Sequence, residues 1–334
     1  MKIRLMMLVA LISLGLSVAG CASRPAPTPV TVQLSWFHTV EFAGFYVAAE
    51  KGYYADENLS VTLSAGGPGI DPVAEVTSGR TMFGITTGDT LIRAHIAKQD
   101  IVALATIFRA NPLVIASLPE SGIKRPEDLV GKRVGVVSAQ LDSPFDIQFL
   151  AMLQAVQVDP ADLTLLPIED YHGVNELLSG RLQAISGFFL TNEPIQARLD
   201  GYDPQLIFYS DYGIQVYPNV LFANRSLINE QPDVVQRFVR ATLKGYQYAI
   251  EHPAEAAQLA LKYDPTLDIA LQTETMLAQI PLIDTGYVPL GTMDRSVWEA
   301  TQATLLRENI IPFPIDLSQI FTNQFTQRNE PDNE

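Results

Sequence analysis

The sequence predicts an α/β protein of two similar lobes facing each other across a ligand cleft. Three observations lead there. The chain has 334 residues, too many for one compact core and well suited to two domains of ordinary size. Short runs of alternating apolar and polar residues, which read as strands, take turns with runs of helical periodicity. A small signature also repeats. Ser78-Gly79-Arg80 ends one helical run and precedes a short strand, and Ser179-Gly180-Arg181 does the same in the second half.

The stretch from Gln33 to Tyr54 is the one the rest serves. Val30, Val32 and Leu34 alternate with Thr31, Gln33 and Ser35, as a strand requires. The chain breaks at Trp36, Phe37 and His38, and Phe42, Phe45, Tyr46 and Ala49 then recur at helical spacing up to Gly52, a stop signal. A strand that runs through a loop into a helix puts that loop at the carboxyl end of a sheet, where open α/β sheets hold ligands. Trp36, Phe37, Phe42 and Tyr46 there either offer flat faces to a flat ligand or fill the core.

The next strand, Leu59–Leu63, ends near Gly66 and Gly67, which let a backbone approach a ligand or simply turn. A helix over Pro72–Ser78 and a strand over Met82–Thr86 follow. Thr87, Gly88 and Asp89 then open a helix whose free N–H groups can receive a polar edge, with Thr87 or Asp89 able to cap it. The apolar strand Ile101–Phe108 ends in Arg109 and Asn111. Arg109 reaches a ligand oxygen or bridges the lobes.

A fresh unit begins with Leu113–Leu118 and continues with Lys132–Val137, a buried parallel strand ending at Ser138. Its loop leads to Phe145 at the start of a helix that reaches Val156. Leu163–Leu166 reads as a strand, Tyr171–Leu178 as a helix and Leu182–Ser186 as a strand. The residues after it, Phe188, Phe189, Asn192 and Glu193, are the second lobe's counterpart to Thr86–Asp89. Phe188 and Phe189 point to opposite faces of an extended chain, so at most one stacks on a ligand. Glu193 accepts a ligand's hydrogen bond or caps the following helix. After the strand Gln205–Tyr209, the run Gln215–Ala223 with Tyr217 reads as a return crossing, because Pro218 suits an edge or a hinge. Helices over Pro232–His252 and Pro253–Leu261 are structural. The expected division is 1–20 export signal, 21–29 tether, 30–115 first lobe, 116–215 second lobe, 216–325 return to the first lobe and 326–334 loose tail.

The amino end carries Lys2 and Arg4, then an apolar run from Leu5 to Val18 that is shorter than the ~20 residues a bilayer span needs. Val18-Ala19-Gly20-Cys21 resembles a bacterial lipobox, in which Cys21 becomes the lipidated first residue and anchors the chain outside the cytoplasm. Cys21 is the single cysteine, which excludes an internal disulfide framework and a thiol metal site. With 47% hydrophobic and 18% charged residues the body is globular, and a net charge of −15 without a basic stripe argues against nucleic acid. H-E-x-x-H, G-x-S-x-G and the phosphate-binding G-x-x-x-x-G-K-[ST] pattern are all missing, which argues against the enzymes that use them. No metal or cofactor is expected.

QLSWFHTVEFAGFYVAAEKGYYADENLSVTL, the Gly66-Gly67-Pro68-Gly69 loop and EDLVGKRVGVV together resemble the NMT1/THI5-like solute-binding proteins. The resemblance implies a type II periplasmic-binding-protein fold, two lobes joined by two crossing segments, working as a monomer with an ABC permease and its ATPase. Members bind thiamin-precursor pyrimidines, riboflavin or alkanesulfonates. Phe42 stands where pyrimidine-binding members carry a polar ring partner, and aromatics are plentiful, so riboflavin is the favoured ligand and a pyrimidine the alternative. Asn111, Asn192, Glu193 and Arg109 would reach its polar edge. Eukaryotic relatives by this resemblance are pyrimidine-making enzymes with a Cys-rich motif; the single Cys21 leaves this chain without one. A sensing role without transport stays open.

Overall fold

The computed structural model describes residues 25–169 and 174–327. The predicted export signal, Cys21, the first turn of the helix expected from Tyr171 and most of the tail lie outside the described residues. The first part contains β1 (Thr28–Gln33), a 3-10 turn (Val40–Phe42), α1 (Ala43–Glu50), α2 (Tyr53–Asp56), β2 (Leu59–Ser64), α3 (Pro72–Thr77), β3 (Phe83–Thr86), α4 (Gly88–Ile96) and β4 (Ile101–Thr106). Next come β5 (Leu113–Ser117), β6 (Arg133–Val136), α5 (Pro144–Ala155), β7 (Thr164–Pro167), α6 (Asn175–Leu178), β8 (Ala184–Phe189), α7 (Glu193–Leu199) and β9 (Gln205–Phe208). The last part holds β10 (Val220–Asn224), α8 (Arg225–Glu230), α9 (Pro232–Glu251), α10 (Pro253–Ala260), α11 (Ile269–Ile283) and α12 (Arg295–Arg307).

Two five-stranded sheets result, in the orders β2-β1-β3-β10-β4 and β7-β6-β8-β5-β9. They follow one plan. Three parallel strands come first, then one antiparallel strand, then a strand that runs with the first three. The antiparallel member, β10 or β5, is the strand the chain forms directly after passing from the other lobe. Both passages, at 107–112 and 213–219, therefore lie at the edge where the parallel strands end. Since β5 pairs with β8 and β9, the first passage falls upstream of the boundary expected at 115. Pro218 lies in the second passage, outside β10, where a missing N–H costs no ladder bond.

Each sheet is covered on both faces, which is why β4 and β10 read as nearly unbroken apolar runs. In the first lobe α1, α2, α9, α10 and α11 cover one face and α3, α4 and α12 the other. The second lobe is packed between α5 on one side and α6 with α7 on the other. The α1–α9 crossing is backbone against backbone: a Cβ on Gly245 would lie 2.0 Å from the Gly44 carbonyl oxygen.

The repeated Ser-Gly-Arg has one geometry in both lobes. Gly79 and Gly180 take φ of +76° and +72° after a helix, and the following arginine folds back on that helix's glutamate. Arg80 meets Glu75 through two 2.7 Å bonds, and Arg181 meets Glu176 and Glu169. Helices α11 and α12 are absent from the sequence reading. The buried face of α11 carries Gln272, Thr275 and Gln279, and Pro281 interrupts it, so no apolar period marks it.

Candidate functional site

The carboxyl ends of β1 to β4 form the first lobe's cleft edge. Gln33 is buried and its Nε2 donates to Leu34 O, Ser64 O and Ala65 O at 3.1, 3.3 and 2.9 Å, lashing the end of β1 to the end of β2. The Gly66 N–H donates to Trp36 O at 2.8 Å, and a Cβ on Gly66 would sit 2.3 Å from Leu34 O, so only glycine permits this approach. The ring of Phe37 lies over Gly67, whose φ of +140° is glycine territory. Trp36 and Phe37 meet edge to face at 5.3 Å; Trp36 is half-buried and Phe37 is 51% exposed.

In the second lobe the turn after β6 is tied to the start of α5 by one buried carboxylate. Asp146 accepts from the N–H groups of Val137 and Ser138, both at 2.8 Å, and from the Ser143 hydroxyl. Burial, partly offset by these bonds, pushes its carboxyl up. Asp146→Ala would orphan two amides, and a urea midpoint reporting a loss of about 2–3 kcal/mol is expected. On this edge Phe145 and Phe189 meet edge to face at 5.7 Å. Phe189 also packs against the cores of both lobes, and Ile147 of α5 packs into the first lobe's α4–α12 core. Helix α7 touches α11 across the gap.

Two carboxylates meet this edge from opposite lobes. Glu41, in the turn after β1, accepts from Asn219 Nδ2 at 2.8 Å, and Asn219 belongs to the second passage. Glu193 opens α7 and accepts from the Phe189 N–H at 3.0 Å and from Asn192 Nδ2 at 3.2 Å. Burial pushes Glu41 up to about 7 against the pull of the Asn219 bond. Burial likewise pushes Glu193 up to about 7, its hydrogen bonds oppose, and the charge of Glu41 adds to the rise. The charge of Glu41 thus reaches Glu193, and an N–H or O–H donor placed beside either carboxyl would favour its charged form.

Asp89 is the third acidic group at a strand end. It is 1% exposed, neither oxygen has a hydrogen-bond partner, and burial raises its pKa. Thr87 stands at the N-cap of α4 without capping it, its hydroxyl donating to Thr90 Oγ1 at 2.9 Å. The Gly88 N–H is already taken by Tyr217 O at 2.8 Å, so it is not free for a ligand.

Several expected ligand contacts are placed elsewhere, and each has a packing reason. The rings of Phe42, Tyr46 and Tyr217 are at most 1% exposed, and Phe188 is 3% exposed in the core between β8 and α7. Alternation along β8 turns Phe188 inward and leaves Phe189 at the cleft. Tyr217 packs edge to face on Trp298 and accepts the Asp294 N–H at 2.8 Å. Arg109 bridges no lobes. It donates to Thr292 O at 2.7 Å and to Asp294 at 2.6 Å, inside the first lobe. Asn111 donates to Gln148 Oε1 and Ile214 O at 2.9 and 3.1 Å, joining the first passage to α5 and to the second passage. Ser138 donates to Asp142 at 2.6 Å within its own loop. Glu193 ties back the end of β8 and does not cap α7, while Asn192, the residue before the helix, donates to it. What the strand-end edges carry is Trp36, Phe37, Glu41, Gly66 and Gly67 on the first lobe and Phe145, Phe189 and Glu193 on the second.

The sequence profile of proteins described as NMT1/THI5 like matches residues 39–256. The chain belongs to the NMT1/THI5-like family. A relative named riboflavin-binding protein RibY, from Chloroflexus aurantiacus, is 26% identical and pairs 91% of this chain with 87% of its own length. The formylaminopyrimidine-binding protein of Halalkalibacterium halodurans is 25% identical over 95% of this chain and 98% of its own. A 4-amino-5-hydroxymethyl-2-methylpyrimidine phosphate synthase from Legionella pneumophila is 25% identical over 89% and 92%. Among solved structures, the periplasmic aliphatic sulphonate binding protein SsuA of Escherichia coli superposes with a TM-score of 0.68 at 15% identity, over 90% of this chain and all of that one. The fold is the periplasmic-binding-protein fold.

For an NMT1/THI5-like chain the residue that sequence reading missed is Glu41. Its signal was present: a lone acid in an otherwise apolar turn, directly after the strand-end aromatics. His38, in the loop after β1, is engaged in packing. Its Nδ1 lies 3.1 Å from the Tyr46 hydroxyl, its ring packs on Tyr263, and burial lowers its pKa against the opposing charge of Asp264. Among the described residues no group of His, Cys, Asp and Glu is placed to hold a metal, and no helix is long and apolar enough to cross a membrane.

Proposed function

We propose that this chain is the substrate-binding lipoprotein of an ABC importer, that it captures riboflavin in the cleft, and that Cys21 anchors it outside the cytoplasm beside its permease. The observation that carries the ligand is the pair of aromatic couples, Trp36 with Phe37 and Phe145 with Phe189, one on each lobe's strand-end edge. A flat tricyclic ring between them would be stacked from both sides. Glu41 and Glu193 would accept from its ring N–H and its side-chain hydroxyls. The RibY relative supports the same reading. Capture works by hinge closure about the two passages, ligand settling on one lobe and the other excluding water. No catalytic step is assigned.

The test is fluorescence titration of riboflavin with the chain from Pro29 onward, refolded from denaturant to strip carried-over ligand. Quenching should saturate at one equivalent, and Trp36→Ala should weaken binding about 30-fold, the loss of roughly 2 kcal/mol of stacking and burial. No quenching at micromolar protein rejects riboflavin. A second reading, a thiamin-precursor aminopyrimidine, is favoured by the two facing carboxylates, which suit an amino group beside a ring nitrogen, and by the formylaminopyrimidine-binding relative. Calorimetry with formylaminopyrimidine on the same sample decides between them.

A further inference from the structure

The turn that carries Glu41 is held by more buried side chains than its length requires. Val40 is fully buried, so its amide and its carbonyl each need a partner. The Val40 N–H donates to Gln272 Oε1 at 2.7 Å, and Val40 O accepts from the Ala43 N–H within the turn and from Gln279 Nε2 at 2.9 Å; both glutamines come from α11. These glutamines sit on one face of α11 and are 2% and 0% exposed. Three more bonds reach Glu41 itself: its N–H donates to Thr39 Oγ1 at 3.3 Å, Tyr246 donates to its carbonyl at 3.2 Å, and Asn219 donates to its carboxylate at 2.8 Å. Elements from three parts of the chain thus converge on two residues. A buried glutamine is costly unless bonded, and an apolar side chain at 272 would leave the Val40 N–H without its partner. What the bracket on Val40 adds is a set direction for the next side chain, and α11 also touches α7, the helix opened by Glu193.

We propose that Gln272 and Gln279 are positioning residues, which act through Val40 to aim the Glu41 carboxylate at the ligand and so set the preference of the cleft for donor-bearing ligands. This rests on Glu41 facing the ligand. Preorganisation of this kind raises affinity because the ordering is complete before the ligand arrives.

Methionine substitution separates aiming from mere support, because it keeps the shape of glutamine and adds no charge. Gln272→Met removes the acceptor of the Val40 N–H, Gln279→Met removes one of the two donors to Val40 O, and Thr275→Val, on the same buried face, removes a hydroxyl that has no partner. The first readout needs no ligand: the Glu41 carboxyl carbon is titrated by NMR in the full-length chain, its signal assigned by its loss in Glu41→Gln. Gln272→Met and Gln279→Met should move the midpoint down by about one pH unit or more, towards the ordinary carboxylate range, as the loosened turn lets water reach the carboxylate. Thr275→Val should leave it in place, and either methionine variant covers the case in which the other does not fold. The second readout is riboflavin quenching, with formylaminopyrimidine calorimetry alongside. Gln279→Met should weaken binding about tenfold in the wild-type background and not at all in Glu41→Gln. A midpoint shift in Thr275→Val equal to that in Gln279→Met, an unmoved midpoint in both methionine variants, or an additive loss in Glu41→Gln would overturn the proposal. If wild type binds neither probe, the ligand reading fails, and the titration still decides the bracket.

Discussion

Gly245→Val is expected to abolish the cooperative urea transition of the first lobe. A Cβ at this position falls 2.0 Å from the Gly44 carbonyl oxygen and 3.0 Å from the Ala48 backbone nitrogen and Cβ. Both contacts belong to the body of α1, so no rotamer change relieves them. Ordinary overpacking costs about 1–3 kcal/mol because neighbours yield; here a helix backbone would have to move. Gly44 is closed in the same way, since its Cβ would fall 2.1 Å from the Tyr246 ring. Displacing α1 would drag the turn carrying Glu41 and the loop carrying Trp36, so binding should fail together with stability. Gly52→Ala is the control: its φ of +78° is strained but nothing lies within 4 Å, and a loss of only about 1 kcal/mol is expected. A Gly245→Val chain melting with wild type would contradict the close crossing of α1 and α9.

Stability should fall as pH rises from 5 to 8. Glu41 and Glu193 are each pushed from the ordinary carboxylate range up to about 7 in the folded chain. The folded state therefore holds protons that the unfolded state releases. Their contribution is fully present below the ordinary carboxylate range and is lost as pH climbs through about 7. Each unit of difference is worth about 1.4 kcal/mol, so the pair together is worth a few kcal/mol at most, reduced by its partial exposure. Asp89 and Asp146, also raised by burial, act in the same direction. Thermal melts should show Tm dropping across this window. Glu193→Gln and Glu41→Gln should flatten the drop and raise Tm at pH 8 while leaving pH 5 unchanged. A Tm that is level or climbing from pH 5 to 8 would show that burial does not hold the two carboxyls protonated. Bound ligand should flatten the curve as well, because its donors replace the missing protons.

The local grammar of the chain determined much of this. Alternation in Val30–Ser35, the Gly52 stop and the paired Ser-Gly-Arg signals are short-range effects, and the elements they imply are present, although the strand expected to end at Ser186 runs three residues further, to Phe189. The same reading put Trp36, Gly66 and Gly67 at strand ends, because a strand-loop-helix order leaves the loop no other place. Which side of an element meets the ligand is a different kind of question. Phe42, Tyr46, Phe188 and Tyr217 look no different in sequence from Trp36 and Phe189, yet packing seals the first four and leaves the other two at the cleft. Arg109 found its partner in Asp294, far along the chain. Helix α11 spends two positions of its buried face, Gln272 and Gln279, on hydrogen bonds to Val40, and the charge of Glu41 reaches Glu193 only once two passages fold the lobes together. Residue spacing encodes local conformation; burial and long-range pairing depend on what the rest of the chain brings alongside, and that is why the burial of Glu41 and Glu193 and the bracket on Val40 belong to the tertiary structure.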